Sequence, residues 1–192
     1  MKFILSSCDF SNDCSKQFIL SHLPASIELC RVLFIPNEKA TSKKIQTGKY
    51  HKRLQAYGFA PENIYVFDEN HASDYVSLAI DVLYVSGGNT FLTLQKLRAS
   101  GFDTALLRYI HHGVTYIGGS AGAHLVTKDL RHIALYDDPP ADLTDFSGLG
   151  LIDELLICHY TEERREHYEQ LCRDTHAKIV KLSNEDSVWI EK

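Results

Sequence analysis

With 192 residues, 44% of them hydrophobic and 23% charged, the chain can build one full core and is short for two, so it is read as a single domain over residues 1–192. A formal charge of −5, with Lys and Arg spread along the chain, excludes a basic face for nucleic acid or an anionic bilayer. The opening Met1-Lys2-Phe3-Ile4-Leu5-Ser6 is too briefly apolar for a secretory signal and no later stretch could span a membrane, so the expected location is the cytoplasm.

In chain order, the apolar runs Phe3-Ile4-Leu5, Val32-Leu33-Phe34-Ile35, Ile64-Tyr65-Val66-Phe67, Val82-Leu83-Tyr84-Val85, Thr115-Tyr116-Ile117 and Leu155-Leu156-Ile157 read as strands buried on both faces. Between them, residues 41–57, 90–99, 103–111 and 162–173 read as helices, the first three each followed closely by a glycine. Strand alternating with helix predicts an α/β fold of three layers, a mostly parallel sheet with helices on both faces. Residues 136–150, with Pro139, Pro140 and four aspartates, read as a long surface loop near the site.

Ligands of such sheets gather at the carboxyl ends of the strands, which directs attention to the glycine-rich loops after Val85 and Ile117. Gly118-x-Ser120-x-Gly122 follows an apolar strand and opens into a helix-compatible run, the context of a nucleophile elbow, in which the serine hydroxyl is presented on a sharp turn. The competing reading is a serine that only caps a helix. In Gly87-Gly88-Asn89-Thr90, backbone N–H groups could converge with that of Ala121 on an oxyanion, and Asn89 or Thr90 could equally cap the next helix.

A serine nucleophile needs a base and a group that orients the base. Of ten histidines, His159 alone ends an apolar run, Leu155-Leu156-Ile157-Cys158, and His124, one turn after Ser120, is its rival. For the acid, Asp137 and Asp138 in the loop compete with Glu185 and Asp186 in the turn before Val188-Trp189-Ile190. The five cysteines form an odd set without a C-x-x-C pair and read as reduced packing residues. No metal or organic cofactor is expected.

The segments Val85-Ser86-Gly87-Gly88-Asn89-Thr90-Phe91, Gly119-Ser120-Ala121-Gly122-Ala123, Leu149-Gly150-Leu151-Ile152, Cys158-His159-Tyr160 and Asn184-Glu185-Asp186-Ser187, in this order and spacing, resemble the serine peptidase family of peptidase E (aspartyl dipeptidase) and cyanophycinase. The resemblance runs over nearly the whole chain. It implies a fold related to class I glutamine amidotransferases and flavodoxin-like proteins, with Ser120 as nucleophile, His159 as base, and Gly88 and Ala121 as oxyanion donors. It makes Glu185 the first choice of acid, then Asp138, then Asp186. It further implies a serine-type peptidase acting on dipeptides or short peptides, Asp-Xaa among them. Arg164-Arg165 lies near where aspartyl dipeptidases carry the arginine that reads the aspartate. Arg165 and Asn89 are the expected substrate-binding side chains, a small peptide the expected partner, and a monomer or homodimer the expected state. The alternatives are an esterase of the α/β-hydrolase kind and a non-catalytic binding domain on the same fold.

Overall fold

Runs of aliphatic and aromatic residues with no polar face must be covered on both sides, and the computed structural model, which describes residues 1–192, places them at the centre of a six-stranded sheet. Strands β1 (Lys2–Ser6), β2 (Val32–Ile35), β3 (Ile64–Val66), β4 (Val82–Val85) and β5 (Thr115–Gly119) are parallel, and β8 (Ser187–Glu191) closes one edge antiparallel to β1. The spatial order is β3-β2-β4-β5-β1-β8. A separate parallel pair, β6 (Leu155–Ile157) and β7 (Ile179–Lys181), flanks the sheet.

Alternate side chains divide the core into two layers. Ile4, Phe34, Tyr84 and Ile117 face α1 (Asp13–His22) and α3 (Lys49–Tyr57), whose Ile19, Tyr50 and Leu54 are buried with them. Phe3, Leu5, Leu83, Val85 and Tyr116 face α4 (Thr90–Ala99), α5 (Phe102–His111) and α6 (Ala121–Leu125). Each large side chain removed from water in these layers contributes about 1.5–3 kcal/mol before the entropy of ordering is subtracted. The chain is therefore an α/β protein of three layers, as its alternating pattern predicts. No helix is long and apolar enough to cross a membrane.

Four details refine the sequence reading. Residues 41–57 form two helices, α2 (Ser42–Gln46) and α3, because Gly48 takes a left-handed φ of 73° and turns the chain between them. The helix α1 gives little apolar signal, with only Ser15 and Ile19 buried, yet Asn12 caps it by accepting the Ser15 N–H at 2.9 Å. Residues 162–173 begin as a 3-10 turn, Glu162–Arg164, before α7 (Arg165–Asp174). The segment 136–150 is anchored as well as exposed: Leu143 and Phe146 pack against the core under α4.

Candidate active site

Because β1, β4 and β5 run parallel, their carboxyl ends share one edge, and the residues that follow them are brought together there: Ser7, Cys8 and Asp9 after β1, Ser86 to Gly88 after β4, and Ser120 after β5. His159 arrives two residues after β6. These groups line a cleft of about 470 Å³. Three non-glycine residues in the chain have positive φ, namely Asp9 (48°), Ser120 (46°) and His159 (53°), and all three line this cleft. Backbone strain of this kind costs about 1–3 kcal/mol per residue and collects at functional sites.

Ser120 sits on the turn between β5 and α6 with φ 46° and ψ −104°, its N–H donating to Ser6 O at 2.8 Å. The turn closes only with glycine beside it. A Cβ on Gly119 would stand 1.8 Å from Asp9 Oδ1, and one on Gly122 would stand 2.3 Å from the carbonyl oxygen of Val85. Ser120 Oγ lies 2.9 Å from His159 Nε2, the contact through which a hydroxyl can pass its proton to an imidazole. The serine does not cap α6 through its side chain.

His159 is held from behind by the backbone. Its N–H donates to Ser7 Oγ at 2.6 Å, and that hydroxyl donates to Leu182 O at 3.3 Å, tying the end of β6 to β1 and to the strand before the final turn. On the far side of the ring, Nδ1 is 2.7 Å from Asn184 Oδ1. With the amide oxygen as acceptor, Nδ1 carries the proton and Nε2 offers its lone pair to Ser120. Asn184 is in turn fixed by its carbonyl, which accepts from Asn12 Nδ2 at 2.7 Å.

The structure therefore corrects the expected acid. Glu185 is exposed and makes no side-chain contact with His159; consecutive turn residues point apart, and Asn184 takes the position facing Nδ1. Asp186 closes the turn by accepting the Ser183 N–H at 2.8 Å. Asp138 is exposed and offers only its carbonyl, to Asn89 Nδ2 at 2.9 Å, while Asp137 accepts the Thr90 N–H at 2.7 Å. Neither loop aspartate meets His159, which removes the support for an α/β-hydrolase triad. His124 is buried and does not meet Ser120 either; its Nε2 faces the Cys158 N–H at 3.4 Å.

The expected substrate-binding residues also move. Arg165 points to solvent and pairs with Glu162 at 3.5 Å and Glu169 at 4.0 Å, because the 3-10 turn ahead of α7 rotates it away, whereas Arg164 lines the cleft with its guanidinium 3.8 Å from the Tyr136 ring centre. Asn89 is occupied as the N-cap of α4, accepting the Leu92 N–H at 2.9 Å. Gly88 lies on the cleft wall and Ala121 is the first residue of α6; the N–H of neither is taken by another group of the chain.

Ser7, Asp9 and Arg53 on the cleft wall, and Asn184 behind His159, escaped the sequence reading. The carboxyl edge of β1 could have directed attention to Ser7 and Asp9, but Arg53, mid-helix in α3, carries no local signal. Burial pushes the Asp9 carboxyl above the ordinary carboxylate range, opposed by the Tyr84 hydroxyl, which donates to Asp9 Oδ2 at 2.6 Å, and by Arg53. Burial also holds the His124 imidazole well below its usual value, with the nearby His132, His159 and Arg164 acting in the same direction. No three His, Cys, Asp or Glu side chains come together as a metal site.

The model of Peptidase family S51 matches residues 3–192. The chain belongs to this family. Among its relatives, the uncharacterized peptidase Lmo0363 of Listeria monocytogenes is 30% identical over 168 residues, covering 83% of this chain and 81% of the relative. The peptidase E of Citrobacter koseri is 32% identical over 131 residues, 67% of this chain and 56% of that protein. A crystal structure of a peptidase E-type protein from L. monocytogenes EGD-e superposes with a TM-score of 0.74 at 25% identity, over 98% of this chain and 93% of the other. A peptidase from an acI-B1 actinobacterium, at 13% identity and a TM-score of 0.66, shares the fold. This S51 chain is a serine-type peptidase.

Proposed function

We propose that this S51 peptidase hydrolyses dipeptides or short peptides, Asp-Xaa dipeptides foremost, with Ser120 as nucleophile and His159 as base. Ser120 Oγ attacks the scissile carbonyl carbon as its proton passes to His159 Nε2; the C–N bond breaks as that proton goes to the departing amine. Water then attacks the acyl-enzyme as its proton passes to His159 Nε2; the acyl C–Oγ bond breaks as that proton goes to Ser120 Oγ, and the acid is released. The N–H groups of Gly88 and Ala121 receive the oxyanion in both halves. Asn184 is the positioning residue, a neutral acceptor that keeps the Nδ1–H tautomer, as asparagine does in cysteine peptidases of the papain type.

The observation that carries this reading is the 2.9 Å contact between Ser120 Oγ, on a strained turn, and His159 Nε2. The preference for aspartate rests on Arg164, whose planar fork suits a carboxylate and which lines the same cleft. The substrate is a small peptide that the protein handles without metal or organic cofactor. The five unpaired cysteines fit a reducing compartment such as the cytoplasm.

The test is a dipeptide screen that varies the amino-terminal residue, with Ser120→Ala beside the wild type. Cleavage of Asp-Xaa lost by at least about 10^4-fold in the variant is the expected result. Equal turnover in both proteins would eliminate the mechanism, and a preference unaffected by Arg164→Gln would eliminate the reader.

A further inference from the structure

The cleft crosses the carboxyl edge of the sheet from one layer to the other, and it carries a cation on each side. Arg164 belongs to the α6 side, against Tyr136 and the Cys158 carbonyl. Arg53 belongs to the α3 side. Its Nε donates to Tyr57 Oη at 2.6 Å, and its guanidinium lies 5.5 Å from the Tyr57 ring centre and 5.7 Å from that of Phe34. Three contacts thus orient the fork, while no hydrogen bond within the chain takes its terminal nitrogens. Its ion-pair partner, Asp9, stands at the 4.0 Å limit of such a contact, through the Oδ2 that already receives the Tyr84 hydroxyl. Arg53 is partly exposed, with 37% of its side chain open, and lines the cleft.

We propose that Arg53 is a specificity determinant that binds the terminal carboxylate of the departing residue and so selects dipeptides over longer chains. The inference rests on the hydrolytic reading above and extends it to the other half of the substrate. Asp9 sets the distance: its carboxylate lies against Gly119, next to Ser120, on one side, and faces Arg53 on the other. One extended residue spans about 3.5 Å, so a carboxylate one residue beyond the attacked carbonyl falls within reach of a fork placed just past Asp9. A substrate lying across the edge would then present its acidic side chain to Arg164 and its free carboxyl end to Arg53. A longer peptide would have an uncharged amide at that point and would bring no anion of its own to the oriented guanidinium.

The test uses the full chain carrying Ser120→Ala, so that peptides bind without turnover, and calorimetry with Asp-Leu, Asp-Leu amide and Asp-Glu amide. Asp-Leu should bind about 10- to 100-fold more tightly than its amide, the range expected for a charge-assisted fork contact. Adding Arg53→Gln should bring the two affinities together, and Arg53→Lys, which keeps charge and stem, should retain part of the difference and guards against a folding defect. A preference for the free acid that survives Arg53→Gln, an equal loss for acid and amide, or binding of neither peptide would overturn the proposal. So would an Arg53-dependent preference for Asp-Glu amide over Asp-Leu amide, which would make Arg53 a side-chain reader. Wild-type turnover measured in parallel separates the two claims: Arg53-dependent binding without hydrolysis leaves the carboxylate site standing and removes the hydrolytic reading.

Discussion

The two halves of the Ser120–His159 pair are built differently. Ser120 stands on a turn locked by the main sheet: β5 is buried along its whole length between β4 and β1, the Ser120 N–H is bonded to Ser6 O, and Gly119 and Gly122 admit no further atom. His159 follows a three-residue strand of a separate two-stranded sheet whose β7 is only partly buried, and it is aimed by the Ser7 hydroxyl at its N–H and by the exposed Asn184 amide at its ring, with Cys8 Sγ 4.0 Å from the same Nδ1. The nucleophile side is over-determined by packing and should fail through stability. The base side is held by a few polar contacts and should fail through activity.

Gly122→Ala is the sharpest way to break the packed side. Its Cβ would meet the backbone of Val85, which cannot step aside without moving β4, so a loss of about 3 kcal/mol or more is expected in chemical denaturation. A loss below about 1 kcal/mol would show that the turn is looser than its geometry.

On the base side, Asn184→Ala should lower kcat by about 10- to 100-fold with a melting temperature near that of the wild type, because it frees the tautomer and ring orientation while removing only an exposed side chain. Glu185→Gln should change kcat less than about twofold, within the scatter expected of a solvated surface charge. The opposite ranking of these two variants would restore the carboxylate as orienting group and would mean that the turn rearranges when substrate binds.

Most of the fold was legible because long-range pairing follows from the apolar runs themselves: once β1, β4 and β5 are parallel, their carboxyl edge brings the residues after Ser6, Val85 and Gly119 to one place. His159 was legible for the same reason, as the residue that ends an apolar run. Asn184 was not, although it stands next to Glu185, because in a turn the direction of a side chain depends on which backbone groups close the turn, and here Asp186 closes it. Arg53 was not, because only the break at Gly48 and the packing of α3 against Phe34 bring a mid-helix arginine to the sheet edge. Arg164 and Arg165 differ by a single position, and the 3-10 turn before α7 decides which of them enters the cleft.

The packed side should also carry a dependence on pH. Burial lowers the imidazoles of His124 and His132 in the folded state, so below their ordinary value of about 6.5 the unfolded chain takes up protons that the folded one refuses. The contribution of these two histidines is therefore complete above about pH 6.5 and falls as the solution becomes more acidic, by up to about 1.4 kcal/mol per pH unit for each. His124→Asn, which keeps a polar atom without the titration, should flatten that slope between pH 6.5 and 5 in denaturant titrations; an unchanged slope would place the proton uptake elsewhere.

Activation of Ser120 by His159 can be read from labelling with a fluorophosphonate followed by peptide mapping. One modified residue, Ser120, is expected, with a labelling rate at least about 10^3-fold lower in folded His159→Ala. Modification at another residue, or a labelling rate at Ser120 that does not depend on His159, would contradict it.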